Sequence, residues 1–277
     1  MHRRQLLGAI GAGGCLAFSG CLSRNAAAAA GGRPLTLAAT TTTHDSGLLG
    51  ALLPGFEARF DVRVKPVIKG SGAALRTAAD GDADVTLTHA RPLEERFLAD
   101  GHGVNRREVM VNDFLVVGPA DDPAGAAGTD PLAALEAIAS REATFLSRGD
   151  RSGTHLRERD LWAAADVDPG GRWYRETGQG MGNTLSAARE LAAYTLADRG
   201  SFLATRTGDL RALVDGGLDD PSALLRNEYA AMATNPAAHD VQYPLAMAFI
   251  GYLTGPAQAT IREFRIGGRR AFRPLAA

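Results

Sequence analysis

Between Leu35 and Ala99 short apolar runs alternate with stretches of helical spacing, and nothing else in the sequence narrows the fold so far. Residues 35–39, 62–68 and 85–88 read as strands. Leu48, Leu49, Leu52, Leu53 and Phe56 form a helical stripe after the first, and helices are expected at 73–79 and 93–99 after the others. A β-α-β-α-β-α order specifies a mostly parallel, doubly wound sheet, whose ligands gather at the carboxyl ends of the strands. Hydroxyls stand there: Thr40, Thr41, Thr42, Thr43 and Ser46 after the first strand, and Ser71 between two glycines after the second.

A longer extended run follows at 107–119, and Asp121, Asp122 and Pro123 with Gly125 and Gly128 mark a boundary. A helix is expected at 132–139 and an apolar run at 143–146, ahead of SRGDRSGTH at 147–155 and a helix at 156–165. A short strand at 173–176 leads into TGQGMG at 177–182 and a helix whose stripe takes in Leu185, Ala188, Leu191 and Ala192. Residues 202–205 and 210–214 read as short strand and helix pieces, 228–234 as a strand returning to the first lobe, and 243–253 and 258–264 as closing helices.

Four strand-to-helix turns thus carry hydroxyls or glycines where an enzyme would carry catalytic groups. The start of a helix leaves N–H groups unpaired and places the positive end of its dipole there, which favours anions. Arg148 adds a permanently charged fork suited to tetrahedral oxyanions. A pocket of donors alone prefers a fully deprotonated oxyanion, because hydrogenphosphate brings a proton that needs an acceptor, at a cost of roughly 1–3 kcal/mol when it is buried without one. GQG at 178–180 is no dinucleotide fingerprint, since its third glycine would fall at Asn183.

The formal charge of −1 gives no reason to expect nucleic acid. Arg3 and Arg4 before an apolar stretch at 6–18 look like a twin-arginine export signal, and FSGC at 18–21 resembles a lipoprotein cleavage box that would leave Cys21 lipidated. Alanines at 28–30 offer a rival cleavage site. Cys15 and Cys21 are the only cysteines, so the folded part has no disulfide, thiolate metal site or cysteine nucleophile.

SRGDRSGTH, together with residues 174–199 and the TTTTHDSGLL run, resembles the TupA-type tungstate-binding proteins, the solute-binding components of ABC importers. SGAAL, GDADVTLTHA, VMVNDFLVVGP and YPLAMAFI extend the resemblance over nearly all of the mature chain. It implies an α/β fold of the periplasmic-binding-protein type II, two doubly wound lobes joined by a hinge. Residues 1–32 would be signal and tether, 34–118 with 230–277 lobe one, and 119–229 lobe two. The implied ligand is tungstate or molybdate, bound as an oxyanion without a metal site or cofactor. Residues expected to hold it are Thr40, Thr41, Thr42, Thr43, Ser71, Arg148, Ser152, Gly153, Thr154, Thr177, Gly178, Gln179 and Gly180. The first turn departs from the family pattern, with Ala39 where a threonine is usual and Thr42 where serine is usual. Asp150 is expected to cap its turn or orient Arg148, and His44 to be a solvated loop residue. The expected partners are an ABC permease and ATPase, and the membrane through the lipid; the protein would be an exported monomer.

A hydrolase is the rival. His89, His155, Asp150 and Ser152 can be combined on paper into a triad, yet no GxSxG elbow is present. A receptor for molybdate, sulfate or phosphate is the nearer alternative, because tungstate and molybdate have almost the same size and charge.

Overall fold

The computed structural model describes residues 32–275 apart from 129, 206, 220 and 221; Arg3, Arg4 and Cys21 of the expected export signal lie outside the described residues. The residues from Arg33 onward form one compact unit. β1 (Leu35–Thr40), α1 (Thr41–Asp45), α2 (Leu48–Phe60), β2 (Val64–Lys69), α3 (Ser71–Ala79), β3 (Val85–Thr88) and α4 (Arg91–Ala99) realise the expected alternation. β1 runs between β2 and β3 and parallel to both. Leu35, Leu37 and Ala39 pack toward Leu48, Leu52 and Phe56 of α2, whereas Ala38 joins Ala74, Leu75 and Phe97 of α3 and α4. Helices on both faces explain why these strands read as nearly continuous apolar runs.

β4 (Gly103–Pro119) belongs to two sheets. After it come α5 (Pro131–Ser140), β5 (Phe145–Ser147), α6 (Gly153–Ala164), β6 (Tyr174–Glu176), α7 (Met181–Glu190), β7 (Thr195–Asp198), α8 (Arg199–Ala204), β8 (Leu210–Asp215) and β9 (Arg226–Thr234). α9 (Tyr243–Thr254), α10 (Ala257–Glu263), the small hairpin β10 (Arg265–Ile266) with β11 (Arg269–Arg270), and β12 (Arg273–Pro274) complete the chain. As far as Asp113, β4 pairs antiparallel with β9, which also flanks β3. From Phe114 it pairs with β7 on one side and β8 on the other. Phe114 and Val116 enter a core with Phe145, Leu161 and Trp162, while Leu115 and Val117 enter the opposite one with Leu146, Met181 and Leu185. That alternation is the two-residue period of a strand buried on both faces. A bridge from Phe145 to Tyr194 and the β5–β6 pairing extend the second sheet. Two helix-covered sheets sharing strands give the α/β, two-lobed periplasmic-binding-protein architecture.

Three local expectations are corrected. Residues 199–204 are helical, because Asp198 caps the turn by accepting the Ser201 N–H at 2.9 Å. Residues 210–215 are a strand: buried Leu210 and Val214 stand four apart, a spacing that helices and strands share. Leu191 and Ala192 leave the stripe of α7; Leu191 is 52% exposed, and Ala192 takes a φ of 46° as the chain turns into β7, a strand the sequence reading passed over.

Candidate anion-binding site

The carboxyl ends of β1, β2, β3, β5 and β7 deliver Thr40, Ser71, His89, Arg148 and Asp198 to the starts of the helices that follow. Two of these starts face each other closely. A Cβ on Gly70 would stand 3.8 Å from Ser152 Cβ, and one on Gly72 3.9 Å from Arg151 O, so the beginnings of α3 and α6 adjoin. Ser71 and Thr154 are fully buried, and their hydroxyl oxygens have no hydrogen-bond partner in the protein. A buried hydroxyl left unpaired is costly, which makes both of them candidate ligand contacts.

Arg148 follows β5 in the loop that leads into α6 and is 2% exposed. Its Nη2 donates to Asp150 Oδ2 at 2.5 Å and its Nε to Gln179 O at 3.3 Å. Asp150 also accepts the Ser152 N–H at 3.0 Å, so it both orients the guanidinium and caps the turn, as its position in the motif implied. Ser152 itself caps α6, its Oγ accepting the His155 N–H at 3.3 Å. Gly153 permits this approach, since a Cβ there would sit 2.8 Å from His89 Cε1 and 3.0 Å from His89 O.

Residues 177–180 support Arg148 from behind. The Thr177 N–H donates to Ser147 O and the Gly178 N–H to Arg148 O, both at 2.9 Å. Thr177 Oγ1 stands 3.0 Å from Thr184 Oγ1, and Gly178 and Gln179 are exposed. The first turn is likewise occupied with itself: Thr40 Oγ1 lies 2.9 Å from the hydroxyls of both Thr42 and Thr43, and Thr43 Oγ1 donates to Thr40 O. Thr41 is half-buried and His44 exposed.

The structure adds residues that the sequence reading did not assign. His89 Nε2 is 3.2 Å from Thr42 Oγ1, its Nδ1 is 3.0 Å from Asn227 Oδ1, and its ring stacks on Tyr229. Burial holds this imidazole down at about 4, so it is neutral at ordinary pH. Asp198 Oδ2 and Ser201 Oγ are further buried atoms without a partner. In α6, burial pushes Glu158 up to about 7 although it accepts from Tyr174 at 2.7 Å and Trp162 at 3.3 Å. No local pattern could have joined His89, just past the end of β3, to Asn112 on β4 and Asn227 on β9, which are far apart in sequence.

The paper triad does not assemble. His89 bonds to Thr42 and Asn227, while His155 Nδ1 accepts the Arg151 N–H and Ser152 Oγ accepts a backbone proton. Among the described residues no group of His, Cys, Asp and Glu could hold a metal ion, and no helix is long and apolar enough to cross a membrane.

Residues 25–257 match the family model of the PBP superfamily domain, and the chain belongs to this superfamily of periplasmic binding proteins. A putative ABC transporter anion-binding protein of Haloferax volcanii is 49% identical, over 100% of this chain and 86% of that protein. The tungstate-binding protein TupA of Peptoclostridium acidaminophilum is 40% identical over 83% of this chain and 81% of its own length. The crystal structure of the tungstate ABC transporter from Geobacter sulfurreducens superimposes with a TM-score of 0.74 at 49% identity, covering 81% of this chain and 95% of that one. Within the superfamily, then, the chain is a member of the TupA family of ABC-transporter solute-binding proteins.

Proposed function

We propose that this protein captures tungstate as WO₄²⁻ between its lobes and hands it to the permease and ATPase of an ABC importer. The observation that carries this reading is the buried Arg148 in the loop that leads into α6, together with the buried, unpartnered hydroxyls of Ser71 and Thr154 at the adjoining starts of α3 and α6. In the bound state Arg148 and these hydroxyls, with the N–H groups that open α3 and α6 (Gly153 and Thr154 among them), would surround the oxyanion. Thr40, Thr41, Thr42 and Thr43 would form its wall from lobe one, with Ser152 holding the cap and Thr177, Gly178, Gln179 and Gly180 bracing Arg148. The lobes would comprise 34–118 with 230–277, and 119–229, hinged where β4 and the start of β9 pass between the sheets. The role is binding without catalysis, and neither a cofactor nor a resident metal takes part. Export by the twin-arginine signal and lipidation at Cys21 would hold the monomer at the outer face of the membrane; a Cys21→Ala variant should appear in the soluble exported fraction.

Titration calorimetry with tungstate, molybdate, sulfate and phosphate tests the reading. Tungstate should bind one to one, well ahead of sulfate and phosphate, and Arg148→Ala should weaken it by about a hundredfold or more, the scale of two charge-assisted hydrogen bonds. Undiminished binding in that variant would remove the site from this place. A second reading rests on Asp198 Oδ2, a buried acceptor that could take the proton of hydrogenphosphate; phosphate binding ahead of tungstate would decide for it.

A further inference from the structure

A buried polar chain runs from the first turn through the crossing strands, and its proton directions can be derived from one end. Asp198 Oδ1 is an acceptor, since it takes the Ser201 N–H at 2.9 Å. Asn112 therefore turns its Nδ2 toward it, at 3.5 Å, and its Oδ1 toward Asn227, whose Nδ2 donates at 2.8 Å. Asn227 is left with Oδ1 facing His89 Nδ1 at 3.0 Å, so Nδ1 carries the imidazole proton. Nε2 is then a bare acceptor, and Thr42 Oγ1, at 3.2 Å, must donate to it. Tyr229 supports the same direction, because its hydroxyl donates to Thr42 Oγ1 at 3.3 Å. Every residue of the chain is at most 7% exposed, and Asn112 stands opposite Asn227 in the β4–β9 register, next to the place where β4 passes from the first sheet to the second.

We infer that His89 is a positioning residue for the anion turn, its tautomer set by the Asn112–Asn227 pair, and that through Thr42 it holds Thr40, Thr41, Thr42 and Thr43 in the shape that closes on the oxyanion. This rests on the binding reading above. The relay touches Asp198 in the second sheet and Thr42 in α1, just past the end of β1 in the first, so the turn keeps its shape only while β4, which passes between the sheets, keeps its own. Thr42 accordingly gives its proton to His89, and the ligand meets a turn that is fixed rather than adaptable.

The charged and titratable groups around His89 are Asp198, Arg148 and Tyr229, with Arg91, Arg157, Asp160, Arg226 and Glu228 lining the cavity on its other side and Asn227 and Thr42 in direct contact. Calorimetric titration of tungstate into relay variants tests the inference. His89→Leu should lose about tenfold in affinity, the effect of one buried hydrogen bond, and Asn227→Leu a similar factor. His89→Gln, whose amide can donate to Asn227 and accept from Thr42, should recover most of it. The His89→Leu/Thr42→Val double variant should bind no worse than Thr42→Val alone. Asn227→Asp places a carboxylate on Nδ1 and should make tungstate affinity vary between pH 5 and 7, where the parent is flat; this arm decides the matter even if His89→Leu fails to fold. Parent-like binding by His89→Leu, additive effects in the double variant, or a flat profile for Asn227→Asp would each overturn the relay. Arg148→Ala separates the two ideas: if it loses tungstate while the relay variants keep it, the relay alone fails, and if it binds as the parent does, the site itself is misplaced.

Discussion

Ser71 is buried with a hydroxyl that bonds to nothing in the protein, and this separates stability from affinity at a single atom. Removing a buried group that makes no hydrogen bond relieves its desolvation cost, while a ligand that would have bonded to it loses a partner. Ser71→Ala should therefore melt no lower than the parent without ligand, and if anything higher, yet bind tungstate roughly three- to tenfold more weakly. A drop in melting temperature with unchanged affinity would give Ser71 a structural role instead. The local part of this site was legible in sequence. Arg148, Asp150 and Ser152 act within a few residues of one another, so a charged fork, its orienting carboxylate and a cap can be recognised from order alone. His89, Asn112 and Asn227 could not be, because only the strand order brings them into contact.

At the level of elements, Gly153 lets the start of α6 lie against His89, with no room for a methyl group on either the ring or the backbone side. Gly153→Ala should force the two apart and weaken tungstate binding by about tenfold, as overpacking by one carbon does elsewhere; isothermal titration at constant pH reads it directly. β4 is held beside α8 by a second device. Arg199 donates to both oxygens of Asp113, at 2.5 and 2.6 Å, and also pairs with Asp215. Arg199→Leu strands the buried Asp113 and should cost roughly 3–5 kcal/mol in a denaturant titration. α8 and β8 are also where the sequence misled. Phe202 and Leu203 resemble strand residues, and only the cap from Asp198 turns them into a helix, while the spacing of Leu210 and Val214 fits either structure.

For the molecule as a whole, two buried titrating groups act on stability in opposite directions. The unfolded His89 imidazole takes up a proton near 6.5 but the folded one only at about 4, so its contribution is full above 6.5 and lost as the pH falls. Folded Glu158 keeps its proton to about 7 and the unfolded residue releases it near 4.5, so its contribution is full below 4.5 and lost as the pH rises. The two slopes oppose each other in the overlap. Glu158→Gln should make the melting temperature climb from pH 4.5 to 6.5, and His89→Gln should make it fall over the same range; scanning calorimetry giving the reverse trends would refute both assignments. The α/β class of the fold was legible from the alternation of strands and helices. The sharing of β4 was not, because a long apolar run does not show where its neighbours change. That sharing governs how the chain can be made. On the ribosome, everything up to residue 225 emerges before β9, yet β9 supplies the ladder that joins β3 to the first half of β4. A nascent chain at that stage holds two open strand edges, which invite pairing with other chains. The first sheet cannot close until β9 has been made, long after β7 and β8 of the second, and fragments ending before Arg226 should be trapped by chaperones or aggregate.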